Sequence, residues 1–438
     1  MAKASATPRT QYGNRIICLK FEQDQYRSIV ADAEHFRRHL DQHFQINPEN
    51  FPPDFQNGYT MKDIRTSKKL ALPIRRVALK NNDVYTVRPS FILPSMTAKV
   101  DDVADALFLA KWVPLWALEQ VFHVDATKLY RIINRIGRNS IVGTTVKTAK
   151  IPENLLADEH HETLGGEKIY IATTVAEGVI LGAEVSPSAS TEDLTKGYGV
   201  FKEEVLELAP KYRPKTVNTD GWKGTQGAWL ALFPMIVILR CFLHAWLSIR
   251  DRAKNLKEQF FDLGSRVWEV YYSVDRRTMG QRLRRLKDWA MQNVSGTVLE
   301  KVLDLCAKGR HWGMWYDHPA GHATSNMLDR LMRGQNRFFD RGQHFHGTFP
   351  SSNLRSRAWA ILHNYWLWSP ASVAANDGAS CPAERLNGKR YADNWLENLL
   401  IAASLGGTKN YLPKKPWWPI SIDRPDTLTI HGSSRRDR

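Results

Sequence analysis

The feature that most limits the fold is an order of elements. Two β-forming runs, Lys168 to Val175 and Val179 to Ser186, flank the turn Ala176-Glu177-Gly178. A helical span from Glu192 to Leu208 follows, with Phe201, Val205 and Leu208 on one side. Then come the β-run Lys215 to Asp220, a short helical span from Thr225 to Phe233, and the apolar run Met235 to Leu239. Consecutive strands that give way to strand–helix alternation predict a mixed α/β sheet covered by helices.

Within that order Asp220 ends a strand, and Gly221 lets the backbone turn away at once. An acid at a strand tip is held rigidly yet still reaches a cleft, which suits a metal-binding carboxylate. Strand-Asp-Gly is more often the mark of a plain turn. Two other acids add weight. Upstream, Ile151 to Asp158 reads as a short apolar segment ending in an acid; downstream, Asp329 follows Thr324-Ser325-Asn326 in an Arg-rich helical segment. Two carboxylates on strand ends and one on a late helix can surround a pair of hard cations. Mg²⁺ takes oxygen ligands and keeps several waters. Two such ions about 4 Å apart clamp the attacking and leaving oxygens of a phosphodiester exchange. The crowd Glu159, His160, His161 and Glu162 does not make a zinc site, because adjacent histidines point apart on a strand.

At 438 residues the chain exceeds one ordinary core, so two or three domains are expected. A hydrophobic content of 43% excludes a disordered chain. The net charge of +16 suits a polyanionic partner, nucleic acid first, although a basic and inert surface gives the same number. Cys18, Cys241, Cys306 and Cys381 are far apart and read as reduced thiols rather than a disulfide framework. The N-terminus lacks the apolar core of a signal peptide. The longest apolar run, Trp229 to Leu239, contains Pro234 and falls short of the roughly 20 residues of a membrane helix. A soluble protein is expected, cytoplasmic and nucleoid-associated.

Residues 1–14 read as a disordered lead, Glu22 to Phe44 as helical, and Asn47 to Tyr59 as a loop. A small β-hairpin is expected around Asn81-Asn82-Asp83, completing an N-terminal region over 1–95. Residues 96–145 form a helical cluster. Asp101 or Asp102 is placed to cap a helix from Val103 to Trp112, and Pro114 sits early in a second helix, Leu115 to Phe122. Asp125 caps a third, Ala126 to Ile136, closed by Gly137. Its Leu129, Ile132, Ile133 and Ile136 share one face, leaving Lys128, Arg131 and Arg135 for phosphates and base edges. This is a helix-turn-helix candidate for DNA; an ordinary helical hairpin has the same pattern.

Cys241 and His244 follow the Met235–Leu239 strand as a core thiol and a helix-start histidine. Residues 245–320 read as an all-α insertion. Beyond it, Asp329 can take metal while Arg330, Arg333 and Arg337 take phosphate. Arg357 to Trp366 is a core helix. Residues 371–438 give a C-terminal helical segment, Trp395 to Leu405, and a frayed basic tail.

Asp158, the run Asn218-Thr-Asp220-Gly221, Cys241-x-x-His244 and Thr324-Ser325-Asn326-x-x-Asp329-x-x-x-Arg333 occur in one order. In that order the chain resembles the DDE/DDD transposases of the RNase H-like superfamily, nearest in look to mutator-like bacterial insertion-sequence enzymes. The likeness covers residues 150–365. It implies an RNase H-like catalytic domain over 150–244 and 321–370, with Asp158, Asp220 and Asp329 as catalytic and metal-binding acids for two Mg²⁺ or Mn²⁺ ions. It places Cys241, His244 and Asn326 behind those ligands. The implied reaction is cleavage at transposon ends, followed by attack of the freed 3′-hydroxyl on target DNA. The implied partners are double-stranded DNA, as terminal repeats and target, and further copies of the chain in a homodimer or higher oligomer. The family pattern usually has Glu at the third acid. Asp329 is one methylene shorter, so helix and metals must sit closer, and Glu384 and Asp340 are the reserves. Two other functions share these residues: a DNA-binding protein with a dead catalytic core, and a metal nuclease without strand transfer.

Overall fold

The computed structural model describes residues 15–68, 70–93, 98–342 and 345–407; the expected disordered lead and basic tail lie outside them. The N-terminal unit runs β1 (Ile16–Leu19), α1 (Tyr26–Ala31), α2 (Ala33–Ile46), β2 (Tyr59–Ser67), β3 (Leu72–Leu79) and β4 (Val84–Pro89). Its sheet is ordered β1-β4-β3-β2, with β1 parallel to β4 and the rest antiparallel. The expected hairpin is β3–β4. Asn82 takes φ 65°, and the Asp83 N–H donates to Asn81 Oδ1 at 2.9 Å. Asn47–Tyr59 is more ordered than a loop. Two 3₁₀ turns, Pro48–Asn50 and Pro53–Asn57, bury Phe51 and Phe55 against the unit's core.

Next come α3 (Ala104–Leu109), α4 (Leu115–Phe122), α5 (Ala126–Ile136) and α6 (Ile141–Thr145). Asp125 caps α5 by accepting the Lys128 N–H at 2.7 Å, and the four expected apolar residues are buried. Three details differ from expectation. Neither Asp101 nor Asp102 caps α3, whose N-cap is Val103 without a side-chain bond. Pro114 is the residue before α4, not within it. Gly137 is the C-cap of α5, as expected, but it closes the helix in a right-handed conformation, with φ −63°. A Cβ there would sit 1.9 Å from the Leu354 carbonyl oxygen, so glycine is needed for close helix–helix approach.

The larger sheet is built from β5 (Asn154–Leu164), β6 (Glu167–Ala176), β7 (Val179–Ser186), β8 (Thr216–Thr219) and β9 (Val237–Arg240), in the order β7-β6-β5-β8-β9. The first three strands are antiparallel; β8 runs parallel to β5, and β9 to β8. Helices α7 (Thr191–Leu208) and α8 (Lys223–Leu232) cover one face, burying Tyr198, Phe201 and Trp229 on Leu155, Ala157 and Leu181. The fold is therefore mixed α/β, with two mixed sheets and helices.

Five helices leave the sheet after β9: α9 (Phe242–Ala253), α10 (Glu258–Tyr271), α11 (Arg276–Asn293), α12 (Gly296–Ala307) and α13 (Gly309–Asp317). They pack on a core of their own around Phe242, Val267, Leu286 and Trp312. The chain returns through α14 (Asn326–Asp340) and α15 (Phe349–Tyr365), then α16 (Pro370–Ala374), α17 (Pro382–Asn387) and α18 (Trp395–Ala402). Residues of α3–α5, α14, α15, α17 and α18 share one core with the second sheet face, through Leu156, Ile171 and Val185. Glu384, expected in a loop, lies in the first turn of α17 and accepts the Ser380 N–H at 2.8 Å. Among the described residues no helix is long and apolar enough to cross a membrane.

Candidate functional site

Strand register sets the first two acids. In the parallel pair β5–β8 the last registered partners are Leu156 and Asn218. Each chain runs two residues further to an acid, Asp158 and Asp220, near enough for the Asp220 charge to act on the Asp158 carboxyl. Neighbouring strands lie about 4.8 Å apart. Asp158 is not at a strand end, as its sequence suggested: β5 continues six residues past it to Leu164. Asp220 does follow the end of β8. Its carboxylate accepts the Trp222 N–H at 2.8 Å, and Gly221 between them takes φ +103°.

The third acid arrives from far downstream by a docked return segment. Asn218 Nδ2 donates to the His322 carbonyl at 2.7 Å, and the Phe242 N–H to the Ala323 carbonyl at 3.1 Å. A Cβ at Gly321 would lie 2.5 Å from Leu239 Cδ1 and 3.1 Å from the His318 carbonyl oxygen, so a larger residue would make Leu239 move for the chain to lie this close to the strands. The Cys241 thiol donates to the Ser325 hydroxyl at 3.2 Å and accepts the Ser325 N–H at 3.2 Å. Ser325 Oγ in turn donates to Asp329 Oδ2 at 3.2 Å, in the first turn of α14. The chain Cys241–Ser325–Asp329 thus aims the third acid. Ser325 was missed as a positioning residue; the Thr-Ser-Asn run before an acidic first turn was its signal.

Asp158, Asp329 and His244 offer ligand atoms that all lie within 4.8 Å of one another. His244, expected behind the ligands, stands in the cluster itself, from the first turn of α9. Asp220 borders it, lining a cleft of about 210 Å³ with Arg240, Cys241, His244, Lys301 and Lys308. The last two belong to α12 and the α12–α13 junction, so the helical insertion forms the far wall. Asn326 is exposed at the start of α14. Asp340 lies at the other end of α14, and Glu384 is engaged with Ser380.

The electrostatics of the cluster are strained. Burial, then the Asp220 and Glu159 charges, push the Asp158 carboxyl up to about 7. The Cys241 sulfur first, then the Asp158 and Asp329 charges, push His244 up to about 9 against the opposing effect of burial. The buried His244 Nδ1 has no hydrogen-bond partner, so Cys241 acts on the ring as a nearby sulfur rather than a paired acceptor. Behind Asp158, Glu159 points to the opposite face. It accepts from Tyr198 Oη at 2.6 Å and Thr225 Oγ1 at 2.8 Å, and burial holds it near 7. Half-buried acids close to one another, beside an imidazole nitrogen without a hydrogen-bond partner, give a cation a set of ready donors.

Among the candidate phosphate contacts, Arg131, Arg330, Arg333 and Arg337 are exposed, while Lys128 and Arg135 are half-buried. Among the described residues none of the six is in an ion pair. His160 and His161 do point apart: His160 Nε2 meets Glu162 Oε1 at 3.0 Å, and His161 lies against Tyr170 on the other face. No family model matches this sequence, and no curated protein matches it.

Proposed function

We propose that the chain is an RNase H-like DNA transposase of the DDE/DDD kind, cutting strands at element ends and joining the freed 3′-hydroxyl to target DNA. The observation that carries this reading is the convergence of Asp158, Asp329 and His244 beside Asp220, where parallel strands deliver two acids and a docked helix a third. The mixed five-stranded sheet with helices on both faces accords with it. So do α4 and α5, which keep the spacing of a helix-turn-helix with Arg131 exposed.

Asp158, Asp220 and Asp329 would hold the Mg²⁺ or Mn²⁺ ions, and His244 is near enough to be a further donor. The oxygen-rich set suits hard cations, the imidazole being its one softer member. Such ions, when bound, stabilise charge on the attacking and leaving oxygens of a phosphodiester. The remaining work falls to the chain. Ser325 and Cys241 fix Asp329, strand register fixes Asp158 and Asp220, and the Asx turn to Trp222 orients the Asp220 carboxylate. Arg240, in register with Thr219 just before Asp220, and Lys301 of the far wall line the same cleft, with Lys308 paired to Asp304, and offer positive charge to the backbone of an entering strand.

The test is incubation of the full chain with duplex DNA carrying its flanking terminal repeats and Mg²⁺ or Mn²⁺. Nicked ends and joined products are expected. Asp220→Asn keeps size but loses the charge that holds a hard cation; it should abolish cleavage and leave binding intact. A variant that melts like wild type and still cuts fully refutes the reading. A wild type that binds its ends with either ion yet never cuts favours the DNA-binding alternative.

A further inference from the structure

We propose that Trp222, with His161 and Tyr170, is a stacking platform for an unpaired nucleobase of the strand entering the acid site, an inference that rests on the DNA reading above. The three rings form a mutually perpendicular cluster. His161 and Tyr170 are 5.0 Å apart at 83°, His161 and Trp222 6.3 Å at 89°, and Tyr170 and Trp222 6.3 Å at 81°. Each ring comes from an element that also builds the site. Trp222 is the N-cap of α8, tied by its N–H to Asp220. His161 stands three residues beyond Asp158 on β5, about 10 Å along the strand and on the opposite, Glu159-bearing face, where it is reached by the charge of Asp220 rather than by Asp158. Tyr170 is its cross-strand partner on β6.

The position suits a ligand rather than a core. β8 stops at Thr219 while β5 runs on to Leu164, so the cluster stands beyond the end of the neighbouring strand. Above Gly221 the space is open, with nothing within 4 Å of a notional Cβ. α8 is anchored by Trp229, which is fully buried, whereas Trp222 keeps 41% of its surface exposed. Exposure alone does not mark Trp222, since Trp112 and Trp116 are more open; its mark is an indole braced by two further rings next to Asp220.

The chemistry narrows the occupant to a nucleobase. Every base has a flat π-face that stacks on Trp, Tyr or His whatever its sequence. Charge complements it: Lys168 Nζ lies 5.1 Å from the Tyr170 ring centroid, and exposed Lys223 follows Trp222, placing cations where a phosphate backbone would run. A base within a duplex already has both faces covered, so the platform selects a nucleotide that is frayed or pulled from its stack.

The probe is a duplex of about 20 base pairs with an unpaired oligothymidine tail of about four nucleotides, compared with its blunt form. Binding to the full chain is read by fluorescence anisotropy in EDTA, where no cleavage intervenes. Wild type should prefer the tailed duplex. Trp222→Ala should weaken tailed binding about 10-fold and leave blunt binding unchanged, and Trp222→Phe should restore most of the loss. A 2-aminopurine in the tail should be quenched by wild type and not by Trp222→Ala. Equal affinity of wild type for both duplexes overturns the platform, as does an equal loss on both in the alanine variant. Since the measurement needs no metal, the two proposals fail separately. A wild type that never cuts but loses tail preference with Trp222→Ala keeps the platform. Cleavage lost in Asp220→Asn, with tail binding untouched by Trp222→Ala, discards the platform alone.

Discussion

Asp158 and His244 carry protons that a cation would have to displace. Ligands must be deprotonated to bind metal, and the two groups lose theirs near pH 7 and near pH 9. Affinity for Mn²⁺ should therefore climb as pH rises from 6 to 9, with proton release visible in calorimetry run in buffers of different ionisation enthalpy. A pH-independent affinity would contradict this arrangement. The same shifts act on stability. The Asp158 pKa is raised on folding, so its contribution is full below about 4 and is lost as pH rises through 7. His244 is raised too, so its contribution is full below its ordinary 6.5 and is lost through about 9. The metal-free protein should thus melt lower at pH 8 than at pH 6. Asp158→Asn, which cannot ionise, should gain about 2–3 kcal/mol over wild type at pH 8, after allowance for solvent reaching the site. Urea melts of both proteins without metal at the two pH values check it, and an unchanged difference between them counts against it. The sequence showed Asp158 but not its setting. Glu159-His160-His161-Glu162 is polar on both strand faces and hides the continuation of β5. The structure supplies the reason: Glu159 is satisfied by Tyr198 and Thr225 on one face, and His160 by Glu162 on the other.

Among the elements, α15 holds the most together. Its Arg357, 1% exposed, meets Glu184 of β7 and Glu204 of α7, the latter at 2.6 Å, and donates to the Gly137 carbonyl behind α5 at 3.0 Å. One guanidinium therefore joins both faces of the sheet to the helix expected to read DNA. Arg357→Met would leave two carboxylates buried without their cation, at a cost of about 3–5 kcal/mol. Loss of the folded state or a urea midpoint lowered by that amount is expected; a variant within 1 kcal/mol of wild type would remove this role. From sequence, α15 was readable as a core helix and Arg357 was not, because a buried triad joins residues far apart in the chain. α5 was legible to its ends, since a cap, a 3.6-residue apolar period and a glycine all coincide there. β1 and β2 were not. β1 has four residues, and β2 lies on a sheet edge with no residue fully buried, so alternation left no apolar trace.

The whole molecule carries +16, and its charge can be tested where the fold displays it. α5 buries Leu129, Ile132, Ile133 and Ile136 in the core shared with the sheet, so a strand of DNA on its outer face would be held rigidly relative to the acids. Of its cations, Arg131 is open to solvent; Arg135 is half-buried, and burial holds its guanidinium below the usual range. Each phosphate that the protein ceases to neutralise lowers the slope of log K against log salt by about 0.9. Arg131→Ala with Arg135→Ala should flatten that slope by about one to two units, most of it from Arg131. The same measurement on Arg330→Ala with Arg333→Ala reports on α14, beside Asp329. The two pairs sit on different helices and share no partner, so their effects on one DNA should add. Titrations of a terminal-repeat duplex across a salt series provide the check. Unchanged slopes in the α5 pair would leave that helix as core packing alone, and a loss confined to the α14 pair would move DNA recognition next to the acids.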